Sequence, residues 1–327
     1  MQVIDKLTVT DLKERVLNGY EIDKHEAKFL YNANYEDLVS AAKEIRKKFC
    51  GDSFDMCTII NAKSGKCPEN CKFCAQSAYY PTNVETYNLL DKEIIVKDAI
   101  NKYNQGIPRY SLVSSGKSLS SDDIDKVCEI VSEIHKHIPV EICISGGLIS
   151  EEGFKKLKNA GVRRIHNNLE TSRNYFPSIC TTHLYEQKIN AIKAAKASGM
   201  EICSGGIIGL GESRDDRIDM IYELKKLDVN SIPVNVLNPI PNTPLANNEI
   251  LSEEEINRTI AVFRFVIPTA TIRLAGGRAN MNELGRSAFE AGANAAITGD
   301  MLTTHGVTTK DDMKMIESLD YKIRLIS

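Results

Sequence analysis

The stretch Met56-Cys-Thr-Ile-Ile-Asn-Ala-Lys-Ser-Gly-Lys-Cys67-Pro-Glu-Asn-Cys71-Lys-Phe-Cys74 joins a short apolar run to a loop that carries three thiols. The run, 56–61, reads as a β-strand, and the loop follows it directly. The C-x3-C-x2-C spacing suits a tight loop wrapped round one metal cluster; it does not suit one face of a helix or strand. A four-iron cluster takes four ligands, and no fourth cysteine follows nearby. One iron is therefore left open to a small molecule, and Phe73 is placed to pack on a bound ring. Structural zinc sites use paired C-x-x-C hooks, and this loop holds one such pair. The plainer alternatives are a zinc site or three unrelated buried cysteines.

Beyond this stretch, apolar runs alternate with helical segments. The later runs are 109–113, 140–145, 162–168, 200–205, 231–236, 271–275 and 294–298. Gly106, Gly161, Gly199 and Gly292 each follow a helical pattern and precede a strand, as glycines just past a helix end do. Ile124, Val127, Val131 and Ile134 recur at helical spacing, and so do Ile218, Ile221 and Leu224. Cys128 falls on the first of these stripes and reads as packing. Eight strands alternating with helices predict an α/β fold with parallel strands, a TIM-type (βα)8 barrel. A doubly wound open sheet is the alternative. Gly206-Ile-Ile-Gly209-Leu-Gly211 runs G-x-x-G-x-G, not the dinucleotide order G-x-G-x-x-G, and is discounted. Residues 1–50 read as an N-terminal helical extension, with one apolar stripe through Leu12 and Val16 and another through Leu30, Tyr31 and Leu38. Cys50 closes it as a core or boundary residue. Residues 51–305 form the barrel, and 306–327 read as a closing helix and tail with no chemistry assigned.

Composition narrows the function classes. A chain of 327 residues with 42% hydrophobic and 26% charged residues has material for a real core and an ordinary polar surface. A net charge of −3 without a Lys/Arg block argues against nucleic acid and membrane partners. No apolar run approaches the roughly 18 residues of a membrane span. Met1-Gln-Val-Ile-Asp-Lys lacks the apolar core of a signal peptide. Nine cysteines in such a chain point to metal chemistry in a reducing cytoplasm, not to disulfides.

In a barrel of this kind the active site lies at the C-terminal ends of the strands, where the thiol loop emerges. The first, third, fifth and seventh strands offer Cys57, Cys143, Cys203 and Arg273. Alternate strands supply one layer of inward side chains, so these four are expected to converge on a second, deeper iron–sulfur site. A cysteine on a strand is otherwise a small buried hydrophobe. A buried arginine needs an anion, and a sulfide-bearing cluster would supply one. The fourth strand ends His166-Asn-Asn-Leu-Glu170-Thr-Ser. Glu170 suits the two hydroxyls of a ribose, while His166 and Asn168 are placed to face a substrate. Asn235, closing the sixth strand, adds another amide to this polar collar.

Five segments together carry a resemblance: Ser64-Gly-Lys-Cys-Pro-Glu-Asn-Cys-Lys-Phe-Cys74, Asn168-Leu-Glu-Thr-Ser172, Ile202-Cys-Ser-Gly-Gly-Ile-Ile-Gly-Leu-Gly-Glu212, Asn238-Pro-Ile-Pro-Asn-Thr-Pro-Leu245 and Ile272-Arg-Leu-Ala-Gly-Gly-Arg278. Over roughly residues 40–305 the chain resembles the biotin synthase family of radical S-adenosylmethionine (SAM) enzymes. The resemblance implies that Cys67, Cys71 and Cys74 hold a 4Fe-4S cluster whose open iron chelates SAM. An electron from reduced flavodoxin or ferredoxin would cleave SAM to methionine and a 5′-deoxyadenosyl radical. That radical would take hydrogen from two carbons of dethiobiotin, and sulfur from the auxiliary cluster would close the ring of biotin. It also implies SAM contacts from Phe73, Glu170 and Asn168, with His166, Asn168 and Asn235 near the substrate. No side chain serves as a catalytic acid or base. Iron–sulfur assembly proteins and a homodimer are implied as partners.

The chain departs from the family pattern at one place. Where the family carries a cluster cysteine on the second strand, this chain has Ser111; where the family has a serine on the first strand, it has Cys57. The expectation is a ligand set moved from the second strand to the first: Cys57, Cys143, Cys203 and Arg273. It would hold a four-iron auxiliary cluster with an extra sulfide in place of a 2Fe-2S cluster. The rival readings are a hydrogenase-maturation or pyrrolysine-pathway enzyme on the same barrel, and a non-catalytic zinc or iron–sulfur protein. The first does not require thiols on strands three and five; the second predicts no SAM binding and no need for Glu170 or the polar collar.

Overall fold

The computed structural model describes residues 7–326. The stretch 1–6, on which the signal-peptide expectation rests, lies outside the described residues. Three helices come first: α1 (Val9–Leu17), α2 (Lys24–Tyr31) and α3 (Tyr35–Cys50). Each starts at a residue whose side chain accepts a first-turn amide, Thr8, Asp23 and Asn34, the usual way of satisfying orphan helix donors. α1 packs on α3, which in turn packs on the later helix α10 (Glu253–Val266), and α2 packs on both α9 (Arg214–Lys226) and α10.

The barrel begins with β1 (Ser53–Lys63), α4 (Lys92–Asn104), β2 (Arg109–Ser114), α5 (Ser121–His137) and β3 (Glu141–Ser145). It continues through α6 (Glu151–Asn159), β4 (Val162–His166), the short α7 (Phe176–Ile179), α8 (Tyr185–Ala197), β5 (Glu201–Cys203) and β6 (Gly206–Ile208). After α9 come β7 (Ser231–Val236), α10, β8 (Thr271–Leu274), α11 (Arg286–Glu290) and β9 (Ala295–Thr298). The pairings between these strands are parallel, and β9 returns to β1 with Asp55 opposite Ala295 and Thr58 opposite Thr298. That closing pair excludes the open sheet. The four glycines expected past helix ends, Gly106, Gly161, Gly199 and Gly292, all adopt positive φ.

The expected strand 200–205 is broken in two. The main chain at Gly205 and Gly206 is pressed against its neighbours: a Cβ on Gly205 would stand 2.0 Å from the Pro233 carbonyl oxygen, and one on Gly206 2.4 Å from that of Glu170. The gap admits the end of the fourth strand. Leu169 N and Glu170 N both donate to Gly205 O, and Ile207 N donates to Glu170 O. Glu170 itself is held at φ +72, an uncommon conformation for a residue with a side chain and one that clusters at functional sites.

The tail also does more than close the chain. After α12 (Thr309–Ser318), a two-residue strand β10 (Lys322–Ile323) pairs with the start of β1. Ile326 then reaches the barrel floor. Its carbonyl accepts from Arg164 Nη2 at 2.8 Å, and its amide donates to Asp55 Oδ2 at 3.1 Å.

Inward side chains step by two along each strand. Arg109, Ser111 and Val113 on β2 face the interior, as do Arg164 and His166 on β4. Cys57 is in register with Arg109, Cys143 with Ser111 and Arg164, and Cys203 with His166. The odd-strand layer of Cys57, Cys143, Cys203 and Arg273 is therefore sandwiched between Arg109 and Arg164 towards the floor and Ser111 and His166 towards the mouth.

Candidate active site

A cavity of about 340 Å³ fills the C-terminal half of the barrel, and all the residues of the odd-strand layer line it. Phe73, Cys74, His166, Asn168, Glu170 and Asn235 line it as well. The residues singled out from the sequence thus meet in one space, apart from Cys67 and Cys71, which are not part of its lining.

The thiol loop is pinned by its own main chain. Cys67 N donates to Gln76 O at 3.0 Å, Ala78 N to Cys67 O at 2.8 Å, and Cys74 N to Cys71 O at 3.0 Å. All nine cysteines are free, and the three loop thiols are half-buried. Burial pushes the Cys74 thiol up to about 11. Phe73 packs among Ile179, Leu210 and Leu237, which fixes an apolar ring at the mouth.

Deeper in, Cys57, Cys143 and Cys203 are all buried and unbridged. Burial raises Cys143 to about 12, with Cys203 adding to the shift while Arg164 and Arg109 oppose it. Burial acts on Cys203 too, but hydrogen bonding to His166 and the fields of Arg273 and Arg164 outweigh it and bring this thiol down to about 6. One member of the trio is therefore poised as a thiolate, the form that ligates metal. His166, expected to face a substrate, stands beside this sulfur.

Arg273, expected to face a cluster, also has an anion within the protein. Its partner is Asp55, which is fully buried: Nη2 donates to Oδ1 at 2.8 Å. Nη1 donates to the Asp55 carbonyl at 3.1 Å, to Ala296 O at 3.0 Å and to Cys57 Sγ at 3.3 Å. Asp55 also faces Arg109 Nη2 at 3.2 Å and Arg164 Nη1 at 3.9 Å. Burial alone would raise this carboxyl, yet the guanidiniums of Arg273, Arg109 and Arg164 hold it down at about 2. Asp55 gives no signal in the sequence, because its three partners come from β2, β4 and β8.

The polar collar is more committed than expected. Asn168 Oδ1 accepts from Gly205 N at 3.1 Å, and its amide donates to Glu170 Oε2 at 3.3 Å. Asn235 donates to Gly206 O at 3.1 Å and accepts from Gly276 N at 2.9 Å. Both amides staple strand ends, and Glu170 is the collar's carboxylate on the cavity.

A further cluster was not singled out from the sequence. The loop after α7 brings Cys180 against Cys71, with Sγ atoms 3.7 Å apart, and His183 Nδ1 lies 3.3 Å from Cys180 Sγ. The Cys71 thiol hydrogen-bonds to Cys180 and, despite burial, holds it down at about 3 with help from His183 and Thr182. The C-x-x-H spacing of Cys180-Thr-Thr-His183 is the signal that was available.

The residues fit two iron–sulfur groups by the chemistry of the donor set. Three free thiols on a pinned loop, opening on a cavity, suit a four-iron cluster with one open iron. Three soft, buried, unbridged sulfur donors below them suit a second sulfide-bearing centre.

Two family models match the chain: the Radical SAM superfamily over residues 62–224, and the biotin and thiamin synthesis associated domain over 233–322. The chain is 54% identical to a biotin synthase of Brachyspira hyodysenteriae, covering 98% of this chain and 96% of the relative. It is 52% identical to a biotin synthase of Clostridium botulinum, covering 99% and 100% respectively. The crystal structure of methylornithine synthase superimposes with a TM-score of 0.84 over 96% of this chain and 97% of that one, at 19% identity. That likeness is one of fold.

Proposed function

The chain belongs to the biotin synthase family of radical SAM enzymes, and from that membership we infer how its residues divide the work. It makes biotin by inserting sulfur into dethiobiotin, and it draws on an electron donor to do so. When bound, the 4Fe-4S cluster with SAM supplies hydrogen abstraction from unactivated carbon, and the auxiliary cluster supplies the sulfur.

Cys67, Cys71 and Cys74 hold the first cluster. Phe73 gives SAM an apolar ring to lie on, and the Glu170 carboxylate accepts from its ribose hydroxyls. The strained Glu170 backbone, locked by Gly205 and Ile207, aims that carboxylate into the cavity. Asn168 positions Glu170, and Asn235 ties Gly206 and Gly276 where the substrate lies. Cys57, Cys143 and Cys203 hold the auxiliary cluster, with Arg273 at its edge and His166 above it. Ser111, opposite Cys143 in register and lining the same cavity, offers no thiol there, so the ligand set moves to Cys57 and the auxiliary cluster is of the four-iron type. Reduced flavodoxin or ferredoxin as donor, iron–sulfur assembly proteins, a homodimer and a cytoplasmic setting complete the proposal. Among the described residues no helix is long and apolar enough to cross a membrane.

The observation that carries this reading is the layer itself: three unbridged thiols and Arg273 lining the same cavity as Glu170 and Phe73. Its test is a single turnover with SAM, reductant and dethiobiotin. Cys203→Ala is expected to keep SAM cleavage and lose biotin. Biotin formed at the normal yield by that variant would remove the auxiliary site from the reaction.

A further inference from the structure

The Cys71, Cys180 and His183 cluster lies outside the machinery assigned above except for one shared sulfur. Two loops distant in sequence are locked together to form it. Asn70 Oδ1 accepts from Thr181 N at 2.9 Å and Thr182 N at 3.3 Å, Asn70 N donates to Thr182 Oγ1 at 3.1 Å, and Lys72 N donates to Ile179 O at 3.0 Å. The ligand-type atoms Cys71 Sγ, Cys180 Sγ and His183 Nδ1 all lie within 4.8 Å of one another. Glu69 Oε2 stands against the same His183 Nδ1 and is steadied by Thr182 Oγ1, which donates to it at 2.7 Å.

The spacing is that of a coordination polyhedron. With metal–sulfur bonds of about 2.3 Å and metal–nitrogen bonds of about 2.0–2.1 Å, a tetrahedral ion sets its S···S edge near about 3.8 Å and its S···N edge near about 3.5 Å. The observed separations are 3.7 Å and 3.3 Å. The polar accounting points the same way. His183 Nδ1 faces a sulfur and a carboxylate oxygen together, and one proton on that nitrogen serves only one of them. A cation between Cys71 Sγ, Cys180 Sγ and Nδ1 serves these three ligand atoms together.

We propose that, in the chain without its SAM cluster, Cys71, Cys180 and His183 Nδ1 bind a single divalent ion of the iron–cobalt–zinc class, with the fourth position left to solvent. The mixed sulfur and imidazole set matches such borderline ions and not magnesium or calcium. Because Cys71 serves either this ion or the cluster, the two are mutually exclusive, and the site holds a metal at the entrance to the cluster loop. The exclusion, unlike the binding itself, rests on the assignment of Cys71 as a cluster ligand.

The test is a Co²⁺ titration of the full-length chain, stripped of iron and kept anaerobic with reduced thiols. Apart from any ion held by the inner thiols Cys57, Cys143 and Cys203, one equivalent that depends on Cys180 and His183 is expected to bind, with the thiolate charge-transfer and d–d absorption of a four-coordinate ion. Cys180→Ala and His183→Ala are expected to weaken it more than about 100-fold, since losing even a supporting partner of a metal ligand costs about 10–100-fold. Cys67→Ala with Cys74→Ala, which removes the cluster loop's other two thiols, is expected to leave the binding unchanged. Undiminished binding by the Cys180 variant, or loss of binding in the Cys67/Cys74 variant, overturns the proposal. Should the Cys180 or His183 variants fail to fold, X-ray absorption of the zinc-loaded wild-type chain decides: two sulfurs with one imidazole support it, and three or more sulfurs refute it. Bound Co²⁺ is also expected to block reconstitution of the SAM cluster. Binding without blocking would leave the ion site standing and refute Cys71 as a shared ligand.

Discussion

Arg273 is anchored to Asp55 by both its charge and its main chain, and the same guanidinium nitrogen that takes the Asp55 carbonyl at 3.1 Å reaches Cys57 Sγ at 3.3 Å. The floor of the barrel is thereby tied to the layer of thiols above it. Asp55→Asn removes the carboxylate that Arg273, Arg109 and Arg164 share. Breaking a buried ion pair from one side costs about 3–5 kcal/mol. A fall in urea-unfolding free energy of that size is expected, together with loss of auxiliary iron before loss of the SAM cluster. An unchanged unfolding midpoint would mean that the floor is held by something else.

Cys57→Ala separates the moved ligand set from a three-ligand site of Cys143, Cys203 and Arg273. The variant is expected to keep the iron of the SAM cluster and lose that of the auxiliary one. Unchanged iron and sulfide would make Cys57 a packing residue.

Glu170→Ala deletes the collar's charged acceptor. Hydrogen bonds to charged groups contribute about 1.5–3 kcal/mol, equivalent to about 10–100-fold in affinity. SAM binding, measured by equilibrium dialysis with the cluster in place, is expected to weaken by that factor, with little change in iron content. Normal SAM affinity in the variant would take Glu170 out of the SAM site.

Glu255, on α10, pairs with Arg214 Nη2 at 2.5 Å and Arg217 Nη1 at 2.7 Å. Burial alone would raise its carboxyl, but the two arginines outweigh burial and hold it below its ordinary 4.5. A depressed carboxylate adds stability that is present above the unfolded value and lost as pH falls through the folded one. Glu255→Gln is expected to be less stable than the wild type at neutral pH, with the gap closing below about pH 4.5. A gap independent of pH would assign the loss to packing.

The barrel was legible because periodicity repeats: eight runs, helix-ending glycines and a thiol loop at the end of the first strand. The inner layer was legible for the same reason, since Cys57, Cys143, Cys203 and Arg273 fall on alternate strands and this architecture brings such strands to one depth. Asp55 was not, because a carboxylate in an apolar run has no meaning until three strands bring guanidiniums to it. The pairing of Cys71 with Cys180 and His183 depends on a loop-to-loop contact that spacing along the chain does not encode. The break at Gly205 and Gly206 arises from the Pro233 and Glu170 carbonyls, also remote in sequence. β10 is two residues long, too short for any period to show.

The central claim is that buried thiols on β1, β3 and β5 hold the sulfur that enters the product. Its most direct measurement is anaerobic iron and sulfide analysis with Mössbauer spectra, before and after one turnover with SAM and dethiobiotin. Two clusters are expected, the auxiliary one of the four-iron type and losing sulfide as biotin appears. A single cluster that cleaves SAM without forming biotin would contradict the account and leave the inner thiols as packing.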